Sequence, residues 1–355
     1  MQAIDYQIVT PPQESLKPQA VNKKRLEFID LAKGICIILV VCFHGGAITW
    51  PPLLMLRMPL YFILSGLFYK DYGGLINLSI RKFDKLIIPF IFFVILTIIS
   101  TNIIGLILPA FSVVEFNDLS FNRPIPTPVW FLLCLFWDNL IFWLIRKLSQ
   151  SKAVQFILIL MTSIIGVILI THEIFLPLHL TSSIISMPFF FAGTVIRTIP
   201  TLNNGNNSKK RDVTIFLLLT ILVMIFAYSL NWPDINMYMC SATLTETLAY
   251  IPLSIIMVIG FLHLCKVVKS IPVVSYMGRY SIIILGIHNI ILGLMINIMK
   301  GLCNTDSPWP GVFVTLAICL SAIPLCRLIV PHFTAQKEVL TPFINRIKSS
   351  TVPIG

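Results

Sequence analysis

Two histidines lie inside long apolar stretches, each following a basic residue at helical spacing. In IDLAKGICIILVVCFH, ten residues separate Lys33 from His44. In GRYSIIILGIH, His288 lies nine positions after Arg279. On a helix these spacings correspond to about 16 Å and about 13 Å along the axis. An ionisable side chain at such depth in a membrane is costly and is by default a functional-site candidate. Two histidines at matched depth predict a polar cavity between helices, where a neutral imidazole has a pKa suited to proton transfer.

The same residues have less specific interpretations. His44 could instead lie at the outer water interface beside Trp50, and the spacing alone leaves both possibilities open. In MPLYFILSG, the small residues Ser65 and Gly66 fit a close contact between helices, which is common in membranes, better than direct chemistry.

Basic residues also gather where a later apolar stretch begins. Arg81 and Lys85 are four positions apart in RKFDKLIIPF and share a helix face. They fit membrane anchoring, but with Lys33 they could also form an anion site suited to phosphates. Asp30 shares a helix face with Lys33, so we expect it to orient that lysine and include it among the catalytic candidates.

Composition predicts that these residues belong to a membrane protein. The 355 residues are 57% hydrophobic and 12% charged, whereas a soluble domain is about 25% charged. A bilayer-spanning helix needs about 20 apolar residues, and such stretches recur along the whole chain. We therefore predict an all-α, polytopic bundle of about ten transmembrane helices, at about 31–49, 53–69, 86–109, 127–146, 153–171, 180–197, 213–231, 245–265, 280–299 and 311–330.

The basic residues predict the orientation of this bundle. Of the 26 Lys and Arg residues, 23 fall before the first span, after the last or in even-numbered loops, whereas Arg57, Arg123 and Lys300 fall on the opposite side. The positive-inside rule then places both termini in the cytoplasm. We divide the chain into a cytoplasmic tail (1–28), a transmembrane domain (29–332) and a second cytoplasmic tail (333–355). The hydrophilic stretch NNGNNSKKRD at 203–212 predicts a flexible loop.

Several functional classes lack their sequence signals. The eight cysteines form no CxxC pair, so no metal site is predicted. The net charge of +11 is explained by the basic residues expected on the cytoplasmic side of the membrane. The chain lacks a run of basic residues interleaved with aromatics, which would indicate nucleic-acid binding. P-loop, GxSxG, HExxH and GxGxxG motifs are missing.

Taken in order, the motifs resemble the acyltransferase-3 family of membrane O-acyltransferases, and within it the fucose 4-O-acetylase-like subset. The resemblance covers residues 25–290 and is specific as an ordered set. The matching residues are Lys33 and His44; Ser65 and Gly66; Arg81, Lys85 and Pro89; Trp130, Phe131 and Leu132; and Gly278, Tyr280, Ser281 and His288.

This resemblance implies transfer of an acyl group, expected to be acetyl, from cytosolic acyl-CoA to a carbohydrate hydroxyl. The acceptor would be a cell-surface polysaccharide or its lipid-linked precursor, and the enzyme would lie among the lipids of the plasma (inner) membrane. His44 is expected to act as the base, with His288 also catalytic, while Lys33, Arg81 and Lys85 bind the donor. Direct transfer and transient acylation of His44 both need a neutral imidazole and both remain open.

A second class shares many of these features. A transporter or flippase for a glycan or anionic solute would also have many helices, buried histidines and cytoplasmic cations. The ordered motifs and the lack of a visible internal repeat favour the enzyme. A catalytically inactive relative that only binds or senses its ligand is a third possibility.

Overall fold

The computed structural model describes residues 27–108, 124–198 and 208–344. These residues form helices and no β-strand, apart from one isolated bridge between Asn236 and Ser241. The all-α prediction is therefore confirmed for the described ranges. Most of the N-terminal tail, the end of the C-terminal tail and residues 203–207 of the predicted loop at 203–212 lie outside them. The loop prediction is wrong for residues 209–212, which are helical.

Twelve α-helices are present in the described ranges. They are α1 (Glu27–His44), α2 (Pro51–Leu67), α3 (Leu75–Lys82), α4 (Ile88–Ile107), α5 (Trp130–Leu148), α6 (Lys152–Thr171), α7 (Leu180–Ile196), α8 (Lys209–Ser229), α9 (Leu244–Val268), α10 (Pro272–Arg279), α11 (Ser281–Cys303) and α12 (Trp309–Ile329). A π-helical turn, Phe83–Ile87, joins α3 to α4, and a 3₁₀ turn, Pro177–His179, precedes α7.

The helices identify an integral membrane protein. Seven described segments are long and apolar enough to cross a bilayer, and α2 is a shorter apolar helix. On α4, Ile91, Ile95, Ile99 and Ile103 recur every fourth residue and are all about half exposed. Such a stripe on a helix predicts a lipid-facing surface. By contrast, 72% of the apolar stretch that includes α7 is buried inside the bundle, which makes α7 a central helix.

Glycines allow the central helices to approach closely. A Cβ at Gly66 would overlap the carbonyl of Phe190, and one at Gly193 would overlap that of Ile63. Helices α2 and α7 therefore pack backbone to backbone, as small residues permit in membranes. This contact agrees with the packing interpretation of Gly66, whereas the neighbouring Ser65 lines a cavity.

Buried polar contacts hold other helices together. Asp138 on α5 accepts hydrogen bonds from Ser183 Oγ at 2.6 Å and Ser186 Oγ at 3.1 Å, both on α7. Asp212 on α8 lies 2.9 Å from His263 Nδ1 on α9, and both side chains are almost fully buried. Buried polar groups need such partners because an unmet hydrogen bond is costly away from water.

The segment after α12 returns to the bundle. Asp84 accepts backbone hydrogen bonds from Val339 at 3.3 Å and from Leu340 and Thr341 at 2.8 Å, and another from the Thr341 hydroxyl at 2.6 Å. Residues 331–344, which we call the C-terminal segment, are thereby docked beside the junction of α3 and α4. Part of the predicted C-terminal tail is thus packed on the transmembrane domain.

Candidate active site

The two histidines meet inside the bundle. His44 Nδ1, at the end of α1, lies 2.8 Å from His288 Nε2 on α11. The ring planes differ by 7° and their centroids are 5.1 Å apart. The two centroids are farther apart than the two nitrogens by about twice the distance from a ring centre to its own nitrogen. The hydrogen bond therefore lies nearly in the plane of both rings, which is a favourable alignment. The structure thus brings together the two histidines that the sequence singled out.

The partners of His288 determine the arrangement of hydrogens. Its Nδ1 lies 2.9 Å from the carbonyl oxygen of Ile284 and 3.0 Å from that of Leu285. Carbonyl oxygens only accept, so this nitrogen carries the hydrogen. Complete burial disfavours a charged His288, and the Nε2 of a neutral imidazole must then accept.

The same reasoning assigns the hydrogens of His44. Its Nδ1 donates to His288, so a neutral His44 keeps the lone pair of Nε2 free. The His44 side chain is exposed, whereas His288 is not. The pair can therefore present an unprotonated nitrogen to a ligand, with the second imidazole holding the first in orientation.

Close packing on each side fixes the two helices that carry the histidines. A Cβ at Gly286 would overlap the ring of Phe93 on α4. At the other end of α1, a Cβ at Gly34 would overlap the carbonyl of Val274 on α10. These contacts fix α11 against α4 and α1 against α10.

His44 lines a cavity of about 480 Å³, which we call the far-end cavity. Its wall includes the aromatic side chains of Trp130 and Tyr238, whose ring centroids are 5.9 Å apart. Exposed Asp234, Asn236 and Asn289 supply hydrogen-bonding groups to the same wall. A cavity of this volume with aromatic surfaces and a few polar groups is typical of a small-molecule site.

Arg57 brings a positive charge to the far-end cavity. Its guanidinium lies over the ring of Phe43, 3.6 Å from the centroid, and Phe43 is the residue before His44. Its Nε is buried and has no hydrogen-bond partner among the residues that the structure describes. An arginine in this position can bind or stabilise negative charge.

A second cavity of about 260 Å³ lies toward the opposite end of α1, and we call it the basic-end cavity. Lys33 and Lys82 line it together with the hydroxyl-bearing residues Tyr61, Ser65 and Ser281. The Tyr61 hydroxyl donates to the Lys33 carbonyl at 3.2 Å. Two cations and three hydroxyls suit a phosphate-bearing or otherwise anionic ligand.

The other predicted site residues lie beside the basic-end cavity. Arg81 and Lys85 share a face, as expected, and approach the carboxylate of Glu338 at 3.8 Å and 3.6 Å. Neither is among the residues that line the cavity. Asp30 is buried and pairs with Arg279 Nε at 3.6 Å, which connects α1 to the end of α10.

Sequence reasoning missed three residues of this region. Arg57 was counted only as an outer basic residue, although an arginine within the apolar run LLMLRMPL is itself a signal of function. The sequence pattern does not distinguish Lys82 from its basic neighbours Arg81 and Lys85. Glu338 gave no signal, because its contacts with Arg81 and Lys85 join segments more than 250 residues apart.

Fold and site together define a membrane-embedded helix bundle with a histidine pair between two cavities. The family model of the acyltransferase-3 domain, described as an acyltransferase domain, matches residues 26–330. The chain therefore belongs to the acyltransferase-3 family and is a multi-pass membrane acyltransferase. No curated protein and no solved structure matches the chain significantly.

Proposed function

We propose that this membrane acyltransferase moves an acetyl group from acetyl-CoA to a carbohydrate hydroxyl, with His44 as the general base. The free Nε2 of His44, held by His288 and exposed to the far-end cavity, is the observation that carries the proposal. A sugar hydroxyl is a weak nucleophile and needs a base within reach.

The proposed reaction is a single acyl transfer. The acceptor hydroxyl gives its proton to His44 Nε2 while its oxygen attacks the thioester carbonyl carbon. The carbon–sulfur bond then breaks, an ester carbon–oxygen bond replaces it, and the imidazolium returns the proton to the departing thiolate. His288 accepts the Nδ1 hydrogen bond throughout, and we assign it a positioning role. Asp30 pairs with Arg279 of α10 and shares a face of α1 with Lys33, and we keep it as a candidate that orients this lysine.

The chemistry of the far-end cavity supports a carbohydrate acceptor. Trp130 and Tyr238 offer aromatic faces against which the apolar face of a sugar ring can pack. Asp234, Asn236 and Asn289 can hydrogen-bond to ring hydroxyls. A cell-surface polysaccharide, or its lipid-linked precursor, could present such a ring from the lipid or from outside.

The basic end supports a coenzyme A donor. Lys33 and Lys82 line the cavity, and Arg81 and Lys85 are close to Lys82 in the sequence. We propose that these four cations bind the phosphates of the donor. The acyl end would then point along the basic-end cavity toward the histidine pair.

We further propose ten transmembrane spans with both termini in the cytoplasm of a plasma (inner) membrane protein. The distribution of Lys and Arg supports this orientation, because it puts the basic end beside cytosolic acyl-CoA. Reporter fusions after about residues 75, 205 and 345 should be cytoplasmic, and those after about 118 and 305 should lie outside. A reporter after residue 345 that lies outside would contradict the orientation.

The proposed activity is tested with purified protein in sealed vesicles, radiolabelled acetyl-CoA and a panel of oligosaccharides. We expect label in an alkali-labile ester on the acceptor from the wild type, and none from a folded His44→Ala protein. Glycan movement across the membrane without ester formation would instead favour a flippase.

A further inference from the structure

The two cavities are lined by the same faces of the same helices. On α11, Ser281 lines the basic-end cavity, Asn289 lines the far-end cavity and Leu285 lines both. These residues are four positions apart and share one helix face. On α2, Arg57 likewise lines the far-end cavity and Tyr61 the basic-end cavity. The cavities are therefore two halves of one path through the bundle.

Leu285 closes this path. Among the described residues it is the one side chain common to both linings, and it is only 9% exposed. Its backbone carbonyl also accepts the hydrogen bond from His288 Nδ1 at 3.0 Å. The closure therefore lies less than one helical turn from the histidine pair.

We propose that Leu285 is the partition between the donor and acceptor cavities, and that its side chain limits the length of the acyl group transferred. This inference rests on the proposed function, because it takes the basic-end cavity as the donor's. A thioester that approaches His44 from the basic end must bring its acyl chain against the isobutyl group of Leu285. An acetyl methyl needs little space there, whereas each further methylene needs volume that this side chain occupies.

The expected change in donor preference follows from the selectivity of ordinary apolar pockets. One methylene more or less in a close-fitting apolar pocket changes discrimination by about 10- to 200-fold. Leu285→Ala removes three carbons from the wall without removing the backbone carbonyl that holds His288. The variant should therefore accept donors with longer acyl chains while the histidine pair stays in place.

The partition is tested first without any acyl transfer. Cysteines are introduced one at a time at Ser281, Leu285, Asn289 and Ile284 in a Cys303→Ser, Cys326→Ser background, whose remaining native cysteines are all buried. Each variant is treated with a membrane-impermeant thiol reagent on either side of sealed vesicles, and the background protein is the blank. Ser281→Cys should react only from the basic end, Asn289→Cys only from the far end, and Leu285→Cys from both. Ile284, which is fully buried and lines neither cavity, is the control. Reaction of Leu285→Cys from one side only would overturn the partition.

The length limit is tested with acetyl-, propionyl- and butyryl-CoA. Leu285→Ala should raise the ratio of butyryl to acetyl transfer at least about tenfold, and Leu285→Phe should lower transfer of all three. Ile284→Ala is the matched control, since its carbonyl also holds His288 but its side chain lines neither cavity. An unchanged ratio in active Leu285→Ala would overturn the length limit.

The two tests separate this inference from the proposed function. If the wild type uses no coenzyme A thioester, the proposed function and the length limit both fail. The labelling pattern would still decide whether Leu285 separates the two cavities.

Discussion

The two cavities differ in chemistry as much as in place. The basic-end cavity holds lysines and hydroxyls in about 260 Å³, whereas the far-end cavity holds a histidine, aromatic rings, amides and one side chain of each charge, Arg57 and Asp234, in about 480 Å³. One can bind an anion tightly through a few contacts. The other can surround a neutral polar ring and deprotonate it.

This difference is the basis for the donor and acceptor assignments that we propose. Charge-assisted contacts are strong and suit a donor whose phosphates are remote from the reacting carbon. Aromatic and amide groups suit an acceptor that must be recognised by shape and hydroxyl pattern. Substitutions in one cavity should therefore change one substrate's kinetics and leave the other's largely intact.

The largest effect is expected at His44. Loss of a positioned base typically lowers a rate by about 10²–10⁴, so His44→Ala should bind donor normally and transfer almost nothing. Donor binding is measured by calorimetry in detergent, and transfer by ester formation. Near-normal transfer by a folded His44→Ala protein would remove this residue from the mechanism.

Two matched substitutions at His288 test whether this residue only positions His44. His288→Gln can place an amide oxygen where His44 Nδ1 donates, whereas His288→Leu cannot. The glutamine variant should keep more of the turnover number than the leucine variant. Equal loss in both would argue that His288 does more than position its partner.

The next largest effect should be at the lysines of the basic-end cavity. A hydrogen bond to a charged group contributes about 1.5–3 kcal/mol, so Lys33→Ala or Lys82→Ala should raise the donor's KM about 10- to 100-fold. The acceptor's KM should change little. Arg81→Ala and Lys85→Ala should act in the same direction. If donor affinity is unaltered in all four, the cations serve only to anchor their helices.

A smaller effect is expected at the aromatic wall. An aromatic contact contributes about 0.5–1.5 kcal/mol beyond buried area, so Trp130→Ala should raise the acceptor's KM about 2- to 10-fold. Tyr228→Ala, an exposed aromatic outside the cavity, is the control. A rise in the donor's KM instead would contradict the assignment of this cavity to the acceptor.

The smallest effect concerns Glu338. Its carboxylate approaches Arg81 and Lys85, which are 37% and 50% exposed. Exposed pairs of this kind contribute about 0.2–1 kcal/mol. Freeing both cations in Glu338→Gln should lower the donor's KM up to about fivefold at low salt, and the gain should fade as salt screens the charges. A weaker donor interaction would indicate that Glu338 supports the site instead.

The sequence predicts the helices well because apolar length is a local property. The expected span at 153–171 corresponds to α6, Lys152–Thr171. The shared depth of His44 and His288 is also predictable, since each depth follows from helical rise within one segment. The 2.8 Å contact needed the packing of α1 on α11, which no single segment specifies.

Other features depend on contacts between distant segments. Asp84 and Thr341 are 257 positions apart, and the sequence RKFDKLIIPF does not predict that its aspartate accepts hydrogen bonds from the backbone of the C-terminal segment. Lys82 differs from its neighbours only in which side of the helix faces the cavity. Such distinctions come from three-dimensional packing and have no periodic signature along the chain.

The hydrogen bonds that hold His288 come from main-chain carbonyls, and this affects how the enzyme could change over time. No substitution at Ile284 or Leu285 deletes those acceptors, because every amino acid carries the same carbonyl. The side chain at 285 can thus change in size while the neighbouring imidazole keeps its hydrogen-bond acceptors. If Leu285 limits acyl length as we propose, a lineage of such enzymes, or a protein engineer, could alter donor preference at this one position without having to rebuild the histidine pair.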